Sequence, residues 1–326
     1  MELTEIKQTR RSFSLIGFSF VILSVVAMLV QILMVRLPGW IWGEGDPLSD
    51  TSWWMWLCTS VPMYLFAFPA CWLVMQLLPA KAPAVQPLSR KQFLTLIPIC
   101  LCLMYGGNII GTVLSFLLSG GKANNAVMDA AMDQSPLKVL VMVILAPLLE
   151  ELICRKLLID RTLPHGEKLS ILMSGLIFGL LHQNLFQFFY AFALGSLFAW
   201  VYVKTGRVRY TVLLHTMVNF LGAVVAPLIL SALDQEALTR LSQGEITVET
   251  VLALLPGWLL LSGYGTLLMG GSVFGLVLLI IRLRGQSKQE PDPGFRPGLK
   301  AALVNVGMIL YMLLCTAMTV WALFPN

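Results

Sequence analysis

Nine apolar runs, at about 14–38, 53–78, 92–119, 137–158, 168–190, 186–203, 210–233, 250–283 and 299–323, constrain this chain more than any other feature. Most reach the ~20 residues that a helix needs to cross a bilayer. With 57% hydrophobic and 12% charged residues and a mean hydropathy of +0.81, the chain reads as a polytopic membrane protein, all-α, with about nine spans (8–9). Two boundaries are weakly marked. The fifth and sixth runs merge around His182–Leu185, and the eighth is longer than one crossing. Its Pro256-Gly257 step is expected to separate a short interfacial piece from the span proper.

The basic residues orient the bundle. With the N-terminus in the cytoplasm and nine alternating spans, 18 of the 22 Lys and Arg fall on the inside, leaving Arg36, Lys122, Lys138 and Arg240 outside. That is the bias the positive-inside rule requires. The outer loops are acidic, with Glu44, Asp46 and Asp50 in one and Asp234, Glu236, Glu245 and Glu249 in another. Trp40, Trp42, Trp53, Trp54 and Trp56 flank the first outer loop as an interfacial belt. The first run follows a basic segment and lacks a small-residue cleavage site, so it is expected to act as an uncleaved anchor. The six cysteines lie within apolar runs with no CxxC pair, which points to packing and not to disulfides or a zinc-thiolate centre. The net charge of +5 sits on cytoplasmic loops and gives no reason to expect nucleic-acid binding. The expected organisation is transmembrane helices over 1–134, a chemistry-bearing core over 135–225 and further transmembrane helices over 226–326. No internal repeat of the kind seen in secondary transporters is evident.

Only two carboxylates sit deep inside an apolar run: Glu150 and Glu151. An acidic residue near the centre of a membrane helix costs roughly 2.5–3.5 kcal/mol, so the pair needs partners or a task. Glu151 and Arg155 are four apart and share a helix face. Glu150 is rotated by about 100° from its neighbour, so it points elsewhere. Glu151 is thereby the structural, charge-compensated carboxylate, and Glu150 the free one suited to general-base work. The alternative is that both simply pair with Arg155 and Lys156.

Two of the three histidines also lie in apolar segments. A turn at Leu163-Pro164-His165-Gly166 makes runs four and five an antiparallel pair. Glu150, fourteen residues before Pro164, and His182, eighteen after it, then reach similar depth. Gly175 and Gly179 form a small-xxx-small step that lets a helix approach beside His182, and Phe178 walls the pocket. His215 and Asn219, four apart on run seven, are a donor pair of the kind that stabilises an oxyanion, or else an interhelical hydrogen-bonding pair. His165 is expected to be solvated in its loop.

These residues resemble a known family. Glu150-Glu151-xxx-Arg155, Phe178-xxx-His182 and His215-xxx-Asn219 match the three motifs of the CAAX prenyl endopeptidase type II and bacteriocin-processing membrane proteins, the CPBP or Abi family. Gly195–Tyr202 and Thr205-Gly206 are similar to that family's spacing, and the resemblance covers roughly 135–225. It implies an α-helical intramembrane peptidase in a prokaryotic cell (inner) membrane, with a site opening toward the cytoplasmic side. Its partners would be the lipid bilayer and a membrane-associated protein or peptide substrate of CAAX or bacteriocin-processing type. Glu150 would activate a water also held by His182, His215 and Asn219 would donate to the oxyanion, and Glu151, Arg155 and Phe178 would support them. Members have been described both as metalloproteases and as metal-independent glutamate proteases. This chain has no HExxH, so a metal-free mechanism without cofactor is favoured; the alternative is a zinc on Glu150, His182 and His215. A non-catalytic immunity or binding protein of the same fold and a proton-coupled carrier are the other function classes.

Overall fold

A computed structural model of the chain describes residues 3–286 and 294–324. The described residues form helices and connecting turns only. In chain order the principal helices are α1 (Leu3–Trp42), α2 (Ser52–Met75), α3 (Arg90–Ser119), α4 (Ala126–Met132), α5 (136–162), α6 (Glu167–Leu181), α7 (Leu185–Thr205), α8 (Val208–Ser231), α9 (Gln235–Ser242), α10 (Val248–Gln286), α11 (Phe295–Leu303) and α12 (Val306–Leu323). Seven of them, α1, α2, α3, α7, α8, α10 and α12, are long and apolar enough to cross a membrane, and the chain is an integral membrane protein. The other two of the nine expected spans are α5 and α6. α5 carries too many charges to read as a plain span, and α6 has only 15 residues.

The merged fifth and sixth runs separate at 182–184. Gln183 adopts φ +49°, alone in the positive-φ region among the described non-glycine residues, and Asn184 caps α7 by accepting from the Phe186 N–H at 2.8 Å. Two boundaries differ from expectation. Pro256 does not end a helix: α10 runs unbroken for 39 residues, and Gly257 serves packing, since a Cβ there would strike Ala232 and Leu233. The last run is instead cut at Val304-Asn305, where the Asn305 side chain accepts from the Met308 N–H at 2.9 Å and starts α12 afresh.

Three prolines shape the bundle interior. Pro69, Pro147 and Pro227 each stand at the second position after a π-helical segment, respectively Pro62–Ala67, Val139–Leu145 and Leu221–Val225. Proline donates no backbone hydrogen bond and crowds the carbonyl four residues before it; expanding the preceding turn by one residue relieves that clash. The residue before each proline accordingly bonds five residues back: Phe68 to Met63, Ala146 to Val141 and Ala226 to Leu221. Such bulges widen the helix locally and cluster at functional sites.

Two apolar clusters hold the bundle. One joins Phe13 and Phe20 of α1, Met75 of α2, Leu158 of α5, Met173 of α6 and Tyr311 of α12. The other joins Ile99 and Cys100 of α3, Leu194 and Phe198 of α7, and Leu214 and Val218 of α8. α5 and α6 belong to the first cluster, and α6 packs directly on α7 of the second through Gly175, Gly179 and Gly195. Glycines allow the closest helix pairs: a Cβ on Gly17 would strike Gly307 and Met308, and one on Gly307 would strike Ser14.

Candidate active site

The two adjacent glutamates occupy different worlds. Glu151 and Arg155 are fully buried and joined by two hydrogen bonds, Nε to Oε2 at 2.9 Å and Nη2 to Oε1 at 3.1 Å. Arg155 also donates to Ser174 Oγ at 2.9 Å, and Ser174 passes its own proton to the Cys154 carbonyl at 2.8 Å. Burying a charged pair is costly, and bidentate geometry with satisfied remaining donors is what makes it tolerable. The alternative in which both glutamates lean on Arg155 and Lys156 is overturned, because Lys156 pairs with Asp160 at 2.7 Å. Arg155 therefore leaves the tally of cytoplasmic loop charges; it is a core residue.

Glu150, by contrast, is 23% exposed and faces a cavity of about 750 Å³. The wall of this cavity includes Phe178, His182, His215 and Asn219, but neither Glu151 nor Arg155. The chemistry-bearing side chains thus come from α5, α6 and α8, one motif per helix.

Each is positioned by a specific bond. His182 ends α6, and its Nδ1 lies 2.8 Å from the Phe178 carbonyl. A carbonyl only accepts, so Nδ1 carries the proton and Nε2 keeps its lone pair. His215 is held by its Nδ1, 3.1 Å from Glu151 Oε1, while its Nε2 lies 3.8 Å from Glu150 Oε2. The first is a hydrogen bond and the second is too long for one, leaving a gap that a reacting group can enter. Glu151 has a task beyond neutralising Arg155, since it orients His215.

Phe178 stands edge-on to both imidazoles, with ring centroids 5.0 Å from His182 and 5.6 Å from His215, and the Arg155 guanidinium lies 4.8 Å from its centroid. The ring fits because Gly195 of α7 presses against it, where a Cβ would collide with Phe178. Gly175 and Gly179 likewise meet Ser196, Phe188 and Phe192 of α7 with no room for a side chain.

Asn219 donates through Nδ2 to the Met142 carbonyl at 2.8 Å. That carbonyl lacks a helical partner because Ala146 bonds Val141 and the next residue is Pro147. Asn219 therefore closes the π bulge of α5 with one amide proton and keeps the other for the cavity.

Two expectations need correction. His165 is not simply solvated: it is half-buried, its Nδ1 3.1 Å from Thr9 Oγ1, and its ring lies against Phe13. Trp56 is not part of the exposed belt but turns inward, bonding Asp133 at 3.2 Å and lining the cavity. The wall of the cavity takes residues from Asn125 to Ala131 and from Asn184 to Gln187, and none from 76–89, 163–168 or 204–209.

Sequence reasoning also missed wall residues, notably Tyr64, Asn108 and Gln187. Neutral polar side chains in a span are far cheaper than carboxylates, so they raise no comparable signal. Pro69, by forcing the bulge that contains Tyr64, is the trace that could have located that residue. Among the described residues no three His, Cys, Asp or Glu side chains are arranged to hold a metal ion.

Comparison with known proteins falls on the same helices. Residues 133–221 match the family model described as Type II CAAX prenyl endopeptidase Rce1-like. A protein of Bacillus subtilis (strain 168) named "Putative membrane peptidase YdiL" is 28% identical over 123 residues, 36% of this chain and 49% of that protein. The chain thus spans about half the length of the curated relative it matches. No solved structure matches it. All three motifs fall within the matched segment, and that segment is similar to the type II CAAX prenyl endopeptidase family.

Proposed function

We propose that this protein is an intramembrane endopeptidase that hydrolyses a peptide bond of a membrane-associated protein or peptide. The observation that carries the reading is the sorting of the motif residues. Glu150, His182, His215 and Asn219 line one cavity, while Glu151 and Arg155 are withheld from it.

A water held between the Glu150 carboxylate and the His182 Nε2 lone pair is the nucleophile. Glu150 takes one of its protons as the water oxygen bonds to the scissile carbonyl carbon. The carbonyl oxygen becomes an oxyanion and accepts from the Nε2–H of a doubly protonated His215 and from the free Nδ2 proton of Asn219. Glu151 stabilises that imidazolium through Nδ1, and Arg155 keeps Glu151 ionised. Glu150 then returns its proton to the leaving nitrogen as the C–N bond breaks, giving an acid and an amine. The favoured route needs no metal, since His215 and Asn219 supply the donors that the oxyanion requires and Asn is a poor zinc ligand.

The test is cleavage of a quenched fluorescent membrane peptide library by the purified chain in proteoliposomes, with and without a strong chelator. Cleavage that survives chelation and disappears in Glu150→Gln supports the reading. Cleavage lost on chelation and restored by zinc would transfer Glu150, His182 and His215 to a metal, and the oxyanion with them.

A further inference from the structure

We infer that the site is served from the membrane half opposite the chain's basic face, and that its substrate is a polypeptide segment presented on the non-cytoplasmic side. This deepens the hydrolase reading above and rests on it.

The two ends of the bundle are told apart by their long-range hydrogen bonds. At one end the Lys81 N–H donates to Asp160 O at 2.6 Å, the Gln86 N–H to Thr205 O at 2.9 Å, and Lys204 pairs with Glu167 at 2.6 Å. These bonds gather the segments around 76–89, 163–168 and 204–209 into one face, which carries Lys81, Arg90, Lys91, Lys168, Arg207 and Arg209. The other end holds Arg36, Lys122 and Arg240, together with Lys138, whose ammonium is buried on the Ala131 carbonyl at 2.8 Å. Cationic loops stay in the cytoplasm, so the first face is cytoplasmic.

The cavity belongs to the second end. The α4 segment, the 184–187 turn and the first turns of α2, with Trp56 and Thr59, form its outer wall. Toward the basic face it is stopped by a solid floor. Glu151, Arg155, Asp160, Arg161 and Tyr202 are all buried. The Tyr202 hydroxyl donates to Asp160 at 2.8 Å, and Arg161 donates to the Met75 carbonyl at 2.6 Å. A chain arriving from the cytoplasm would have to break these buried bonds; on the other side the wall carries the exposed Met128 and the half-buried Val127.

The wall also states what fits. It is mostly apolar, with amide side chains at Asn108, Asn125, Asn184 and Gln187 able to bond the backbone of an extended peptide, and Glu150 is its one carboxylate. The substrate class is an apolar, uncharged segment of an exported peptide, or the outer end of a membrane span. A lipidated tail held at the cytoplasmic leaflet reaches only the closed floor.

The test reads geometry without cleavage. Gly222 lines the cavity, and a Cβ there meets nothing within 4 Å, so Gly222→Cys places a thiol in open space; Val127→Cys in α4 is a second probe. Lys81→Cys reports the basic face. All three carry Cys102→Ser, since the other native cysteines are buried. Intact cells expressing the full chain are treated with a charged, membrane-impermeant maleimide. We expect the Gly222→Cys and Val127→Cys chains to label, and Lys81→Cys to label only after permeabilisation. Labelling of Lys81→Cys in intact cells, or of both cavity probes only after permeabilisation, overturns the inference. The outcome is independent of activity: a chain that labels as expected yet cleaves nothing contradicts the hydrolase reading alone. One that cleaves but labels in reverse contradicts only the side of entry.

Discussion

The half of this bundle toward its basic face is solid, and the other half is hollow, with a boundary that runs between two consecutive residues. Glu151 closes the solid side with Arg155, Ser174 and His215, while Glu150, one residue earlier and about 100° round the helix, faces the cavity. The comparison teaches that carboxylates with the same chemistry acquire different duties from what surrounds them. Substitutions in the solid half should act on stability, and substitutions around the hollow should act on turnover.

The largest effect on stability is expected from Arg155→Ala. It strands Glu151 as an unpaired buried charge and removes the guanidinium beside Phe178, at a cost of about 3–5 kcal/mol. Thermal unfolding in detergent measures it, and an unchanged midpoint would break the distinction between the halves. Asn219→Ala tests a residue that serves both sides. Losing the partner of the Met142 carbonyl should cost about 1–3 kcal/mol, and turnover should fall beyond what that loss explains. Cleavage rates scaled to the folded fraction separate the two contributions.

Much of this division is legible in the sequence, because the cost of charge in a membrane makes Glu150, Glu151 and Arg155 conspicuous and helical periodicity sorts them. Counting from Pro164 sets His182 at the depth of Glu150, and both residues line one cavity. What the sequence hides has physical reasons. Pro256 reads as a break, yet a proline is accommodated in α10, while Asn305 breaks the last run by a capping bond that has no hydropathy signal. Tyr64 and Asn108 enter the wall through helix packing and a proline-driven bulge, which no local pattern encodes. The side on which the cavity lies is set by how the helices pack on one another, a tertiary property.

Smaller effects refine the contrast. Tyr202→Phe removes one bond to Asp160, which keeps Lys156, so stability should drop by about 1 kcal/mol with turnover per folded chain unchanged. His165 offers the mildest perturbation. Burial holds its imidazole below the ordinary value, so the unfolded chain binds the proton more readily. Its contribution to stability is full above the unfolded value of about 6.5 and is lost as pH falls through the lower folded value. A melting series across that range should show a shallow decline toward acid that is reduced in His165→Gln; an identical slope in both would remove His165 from the account.

The central claim is tested most directly by measuring unfolding and cleavage on the same preparations of Glu150→Gln and Arg155→Ala. Glu150→Gln keeps the shape of a side chain on the cavity wall, so its melting midpoint should stay near that of the parent chain while cleavage falls by about 10²–10⁴-fold, the range a general base supplies. Arg155→Ala should melt markedly earlier. A Glu150→Gln chain that still cleaves, or one that unfolds while Arg155→Ala remains intact, would contradict the assignment of chemistry to Glu150 and of structure to the Glu151–Arg155 pair.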